Sequence, residues 1–117
     1  MDQINREFSE NIIGKGYDVI GNEEELTFLN ESKGPVWYRG YFTDTSFCES
    51  RLDSILDFYD KDHVVIGHTP NNGIVSLFHG KILAADAGIM YKQPDEMLMY
   101  KDGCFYKAFI NGTRIKL

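Results

Sequence analysis

Two side chains in this sequence stand where chemistry can be done, His68 and Arg39. His68 follows the apolar run Val64-Val65-Ile66 and Gly67, and it precedes Thr69-Pro70. A short continuous apolar run bounded by glycine reads as a strand covered on both faces. A strand that runs straight into Gly-His leaves the imidazole at the carboxyl edge of a sheet, where open α/β folds place ligands and metal ions. Gly67 permits close backbone approach, and Pro70 sets the loop beyond. A lone histidine in this position also serves purely structural ends, so the residues alone leave both roles open.

Arg39 sits in Gly34-Pro35-Val36-Trp37-Tyr38-Arg39-Gly40-Tyr41. Three aromatic rings beside one arginine, between glycines, suit a rigid loop that presents a guanidinium. Its planar fork matches two oxygens of a phosphate or carboxylate. The other reading is an aromatic plug over a sheet, with Arg39 stacked on Trp37 or paired with an acid. A third segment, Ala84-Ala85-Asp86-Ala87-Gly88, lets a neighbouring segment come close, and Asp86 either orients His68 or ligates a metal, or else forms a turn. His63 and His79 form no ligand spacing with His68 and are expected to be solvated.

The elements that must position these residues fall into a helical, acidic first half and a strand-rich second half. Ile4, Phe8 and Ile12 recur at four-residue spacing and predict an amphipathic helix over residues 3–13, ended by Gly14 and Gly16. Asn22 and Glu25 offer a cap for a second helix over residues 23–30. Ser46 and Glu49 read as a capping box, and Leu52, Ile55, Leu56 and Tyr59 then form a stripe that predicts a helix over residues 47–60. Asp53, Asp57 and Asp60 fall on its other face. Beyond the strand His63–Ile66, a hairpin is predicted from Ile74–Phe78 and Ile82–Ala85, and a second from Glu96–Tyr100 and Cys104–Ile110 around Asp102-Gly103. Asn111-Gly112 can fold Thr113–Lys116 back as an edge strand. The expected class is α+β, with helices packed on a mixed, mostly antiparallel sheet.

Residues 1–117 fit a single domain, with 43% hydrophobic and 14% aromatic residues to build a core. The net charge of −6 comes from 18 acidic and 12 basic residues, the latter scattered singly, so nucleic acid is not an expected partner. No apolar run approaches the roughly 18–20 residues of a membrane span, so no membrane contact is expected. The opening MDQINREFSEN has no signal-peptide pattern, which makes the cytoplasm the default location. Cys48 and Cys104 fit no C-x-x-C pattern and read as reduced thiols, one near a helix start and one in a strand.

Three blocks, GPVWYRGYF, an amphipathic helix, and VVIGHTPNNGIVSLFHGKILAADAGI, together resemble the C-terminal part of bacterial calcineurin-like metallophosphoesterases, in the branch related to serine/threonine protein phosphatases. On this resemblance residues 34–117 are the family-like region and residues 1–33 a helical N-terminal segment. The resemblance implies a two-layered β-sandwich flanked by helices, with His68 as a metal ligand and Arg39 as the catalytic phosphate clamp. Asp86, Tyr38 and Thr69 would stand beside them. It implies two divalent metal ions (Mn, Fe or Zn) in the complete enzyme and a phosphorylated substrate. The family's D-x-H, G-D-x-x-D and G-N-H motifs do not occur in this sequence. The expectation is therefore a fragment, a split gene product or a degenerate relative, inactive by itself and completed by self-association or by a complementary N-terminal half. The alternative is a non-catalytic α+β protein-interaction module derived from the same fold.

Overall fold

The computed structural model describes residues 2–14, 31–91 and 95–117. The helix expected over residues 23–30 lies outside them. The chain forms two compact units, Met1–Cys48 and Glu49–Leu117.

In the first unit, helix α1 (Asp2–Glu7) continues as a wider π-helical segment over Phe8–Ile13. The predicted helix is present, but its second half is underwound to a larger radius, and no proline or glycine falls within it to account for that. Ile4 and Phe8 are half-buried, as their spacing requires, whereas Ile13 is 73% exposed. A turn built on Gly34 follows, its carbonyl accepting the N–H groups of Trp37 and Tyr38 at 3.2 and 2.9 Å. It leads into the single helical turn α2 (Gly40–Thr43).

The second unit starts with helix α3 (Glu49–Tyr59), which buries Leu52 and Leu56 and half-buries Ile55 and Tyr59. That is the apolar stripe of the sequence. Asp60 then turns left-handed (φ 51), and Lys61 N–H donates to the Leu56 carbonyl at 3.0 Å, which closes the last turn. The capping box does not form. Ser46 Oγ donates to Asp44 Oδ1, and Glu49 is engaged by Lys81 and His79 instead.

The first sheet has the order β1-β3-β2, with β1 (Val64–Ile66) parallel to β3 (Ile82–Ala84) and β2 (Val75–Leu77) antiparallel to it. The β2–β3 hairpin turns through Phe78–Gly80, where Phe78, His79 and Gly80 all have positive φ. The second sheet is antiparallel, β4 (Glu96–Lys101), β5 (Cys104–Phe109) and β6 (Arg114–Lys116) in sequence order. Asp102 (φ 50) and Gly103 (φ 76) give the tight turn that Asp-Gly predicts. Gly112 N–H donates to the Phe109 carbonyl at 2.9 Å and folds β6 back as expected.

Two expectations need correction. The strand with both faces covered is β3, in which Ile82, Leu83 and Ala84 are all buried, and not β1, where Val65 is 52% exposed. Position decides this, because β3 is central and β1 lies at the edge. Nor does the metallophosphoesterase-type sandwich hold. A sandwich needs two inner faces buried against each other, yet β6 is exposed at every position and β5 only half-buried throughout. The α+β class stands, with one mixed and one antiparallel sheet.

Candidate functional site

Arg39 precedes α2, and the turn around it is fixed by its own backbone. The Arg39 carbonyl accepts Phe42 N–H at 3.0 Å and Thr43 Oγ1 at 3.2 Å. Its guanidinium carbon lies 5.6 Å from the centre of the Trp37 ring, and Nη1 donates to the Tyr38 carbonyl at 3.3 Å. The stack on Trp37 weighed from sequence is present, with Arg39 half-buried at the loop. Beneath it, Tyr38, Tyr41 and Phe47 make an aromatic cluster. Tyr41 meets Tyr38 edge-on at 4.9 Å between centroids and Phe47 edge-on at 5.2 Å. Gly40 is required here because a Cβ would collide with the Tyr38 ring. Burial first, and then neighbouring Tyr38, push the Tyr41 phenol above its ordinary range, so it stays protonated. Tyr38 is therefore part of the platform that holds the arginine loop.

His68 lies in the other unit, at the carboxyl end of β1, with its imidazole in an exposed residue. Its backbone is left-handed (φ 57), a conformation that a non-glycine residue holds only when its surroundings impose it. The surroundings are two facing loops. Ala85 N–H donates to the Ile66 carbonyl at 2.7 Å, and Asn71 N–H donates to the Asp86 carbonyl at 3.0 Å, tying the loop after β1 to the loop after β3. Asn71 Nδ2 also donates to the Thr69 carbonyl at 2.7 Å, which fixes Thr69 by its backbone. Between these loops lies an open groove of about 400 Å3 lined by Gly67, His68, Ala85–Ala87, Ile89 and Met90. Asp86 lines it too, while its Oδ1 accepts Gly88 N–H at 3.0 Å, the turn-forming role weighed from sequence.

The structure thus brings His68 and Asp86 to one groove and sets Arg39 and Tyr38 together on an aromatic platform in the other unit. Sequence reading missed Asn71, although Pro-Asn-Asn-Gly is a strong turn signal. It also missed the clamp on the Lys81 ammonium, which lies 2.8 Å from Glu49 and 2.6 Å from Asp53. Two acids four residues apart on α3 were the available signal. A second groove of about 390 Å3 is lined by His63, Ser76, His79, Cys104, Phe105 and Lys116. There the adjoining Cys104 raises the Lys116 ammonium above its usual value. His63 and His79 are exposed as expected, but each has a partner: His63 Nδ1 donates to the Gly80 carbonyl at 2.9 Å, and His79 pairs with Glu49. Neither Cys48 nor Cys104 takes part in a disulfide.

The two metal ions implied by the resemblance require a converging donor set. Among the described residues, no three His, Cys, Asp or Glu side chains come together in that way. These residues do not fit such a centre by themselves, so none of the chemistry below is routed through it. Among the described residues no helix is long and apolar enough to cross a membrane.

The fold is shared with solved phosphatase structures. The chain matches the cold-active protein-tyrosine phosphatase of the psychrophile Shewanella sp. at 33% identity and a TM-score of 0.85, over 99% of this chain and 34% of that one. A point mutant of a cold-active protein tyrosine phosphatase and a further structure of one match with the same figures. This chain therefore spans about a third of the length of the structures it matches. No protein-family model matches the sequence, and no curated protein matches it either.

These matches overturn the resemblance drawn from the three sequence blocks. The structures that the whole chain is similar to are described as protein-tyrosine phosphatases, not as calcineurin-like metallophosphoesterases. The assignment as a C-terminal metallophosphoesterase segment is withdrawn with it. Short blocks such as Gly-His after an apolar strand report local geometry, and that geometry does not single out one family.

Proposed function

We propose that this chain is the part of a phosphatase that carries phosphate-handling groups, with a phosphorylated protein as substrate and phosphotyrosine its reactive group. The observation that carries this reading is the similarity over nearly the whole chain, at 33% identity, to enzymes described as protein-tyrosine phosphatases. In this reading Arg39 offers its fork to two non-bridging phosphate oxygens and stabilises the charge that grows on them during transfer. Stacking on Trp37 holds the fork in place before substrate arrives, which lowers the entropy lost on binding. His68 supplies an imidazole that exchanges a proton with the phosphoester. Asp86, and Thr69 by its backbone, keep the two loops around His68 in register.

The chain alone should turn over a phosphomonoester poorly, since it spans a third of the matched enzymes. The test is made on this chain co-expressed with the portion of the Shewanella sp. phosphatase outside the aligned third. Release of phosphate from a phosphotyrosine peptide should appear in the mixture and fall about tenfold or more in Arg39→Lys. Hydrolysis that is unchanged in both Arg39→Lys and His68→Ala would sink the assignment of these two residues.

A further inference from the structure

Glu96 is a buried carboxylate that takes no part in the chemistry proposed for Arg39 and His68. It is 7% exposed, and its Oε1 accepts the Ile74 N–H at 2.6 Å. Oε1 turns toward Gly73 and Ile74, and Oε2 lies farther from that backbone. Among the described residues no hydrogen bond or ion pair reaches Oε2. An ionised carboxylate has about four acceptor sites, and burying one with most of them empty is costly. Yet no sealed side-chain oxygen among the described residues lacks a partner, so Oε2 must reach open space.

That space is a pocket of about 220 Å3 that Glu96 lines. Its other walls include Ile89, Met97, Ala108 and Ile110, and the exposed Asp95 stands beside Glu96 in the chain. Successive residues of a strand point to opposite faces, so Asp95 adds its charge from the rim and Glu96 from within. No described residue that lines the pocket is basic. Ile89, Met97 and Ile110 are each more than half exposed, which leaves apolar surface around a buried negative charge.

We infer that this pocket binds a small organic ammonium ion, its charged end on Glu96 Oε2 and its hydrocarbon against Ile89, Met97 and Ile110. The sign of the ligand follows from the two carboxylates, and its apolar body follows from the walls. Its size follows from the volume, which falls below the roughly 300–1,000 Å3 of a site for drug-sized molecules. A hydrogen bond from an ammonium to a carboxylate is about twice as strong as one between neutral groups. Apolar walls lower the local dielectric and strengthen it further. The bond from Ile74 N–H already fixes the carboxyl, so little order is lost when the ligand arrives. All of these residues belong to the second unit, and binding here is independent of Arg39.

The experiment titrates the full chain, with labelled methyl groups, against phenethylamine, phenethyl alcohol and phenylacetate. With the amine, the methyl signals of Ile89, Met97, Ala108 and Ile110 should shift together and saturate. The alcohol keeps the apolar body without the charge and should bind at least tenfold more weakly, and phenylacetate should not bind measurably. Glu96→Gln retains an acceptor for Ile74 N–H and should weaken the amine at least tenfold while leaving the alcohol unchanged, a split that a purely structural role would not produce. Ala108→Leu fills the pocket without touching the Glu96–Ile74 bond and should abolish binding of both. Three results overturn the inference: an alcohol that binds as tightly as the amine, an amine affinity unchanged in Glu96→Gln, or shifts that fall outside these four methyl groups. Should Glu96→Gln fail to fold, an amine affinity unchanged in Ala108→Leu overturns it equally.

Discussion

Glu96 Oε1, on β4, accepts the backbone N–H of Ile74 at 2.6 Å, and it does so where Glu96 is only 7% exposed and Ile74 1%. The contact spans the two sheets of the second unit. Gly73 makes room for it, since a Cβ there would run into the Glu96 carboxyl, and its φ of +106 suits glycine besides. Glu96→Ala leaves a buried donor without a partner and should cost about 1–3 kcal/mol. Glu96→Gln keeps an acceptor oxygen in place and should cost less than half of that. Gly73→Ala combines backbone strain with the collision and should also cost about 1–3 kcal/mol. Urea melts of the three variants check the order; an alanine at 96 as stable as wild type would show that the contact stabilises nothing.

Lys81 Nζ bridges Glu49 and Asp53, and so ties α3 to the start of β3. Hydrogen bonds from Lys81 and then His79 hold the Glu49 carboxyl below its usual range, and bonds to Asp53 and then Glu49 hold the Lys81 ammonium above its own. A depressed carboxyl contributes stability that is present above its unfolded value and is lost as pH falls through the folded one. A raised ammonium contributes stability that is present below its unfolded value and is lost as pH rises through the folded one. The difference in melting temperature between wild type and Lys81→Met should therefore be widest near neutrality. It should shrink below pH 4 and again at strongly alkaline pH, and half-molar salt should shrink it at any pH, because the three side chains are partly exposed.

Leu52 and Phe58 lie on the same helix and should respond oppositely. Leu52 is fully buried, whereas Phe58 is 81% exposed. Leu52→Ala removes methylenes from a close-packed site and should cost about 2–5 kcal/mol. Phe58→Ser should stay within about 0.5 kcal/mol of wild type. Thermal denaturation of both variants reads this directly.

That contrast also shows what the sequence disclosed. The stripe Leu52, Ile55, Leu56 and Tyr59 carries a period of 3.6, and Asp102-Gly103 and Asn111-Gly112 carry turn chemistry, so α3 and the second sheet were legible because they are local. Which strand became central was not, because Val64–Ile66 and Ile82–Ala84 are equally apolar and only the pairing order β1-β3-β2 separates them. The Glu49–Lys81 bridge spans 32 residues and displaced a capping box that had every local feature it needed. At the candidate site, the Arg39–Trp37 stack was foreseeable from two residues set two apart. The groove at His68 was not, since it depends on Asn71 reaching the Asp86 carbonyl across two loops. The similarity to protein-tyrosine phosphatase structures was hardest to read, because the short blocks around Arg39 and His68 report only local turns.

Trp37 offers a direct view of Arg39. It is the single tryptophan of the chain, 36% exposed, with the guanidinium 5.6 Å from its ring centre. An oxyanion that binds the guanidinium draws it toward the ligand and changes the field over the indole face. Orthovanadate, which takes the geometry of a transferring phosphoryl group, should therefore shift or quench the tryptophan emission in a saturable way. Arg39→Ala should abolish the response. Arg39→Lys should weaken the half-saturating concentration about tenfold, because an ammonium is a point charge and cannot make the two parallel bonds of the fork. Chloride at equal ionic strength should leave the emission unchanged, which separates binding from screening. A vanadate response that persists in Arg39→Ala would mean the anion sits elsewhere, and the role of the arginine would then be structural.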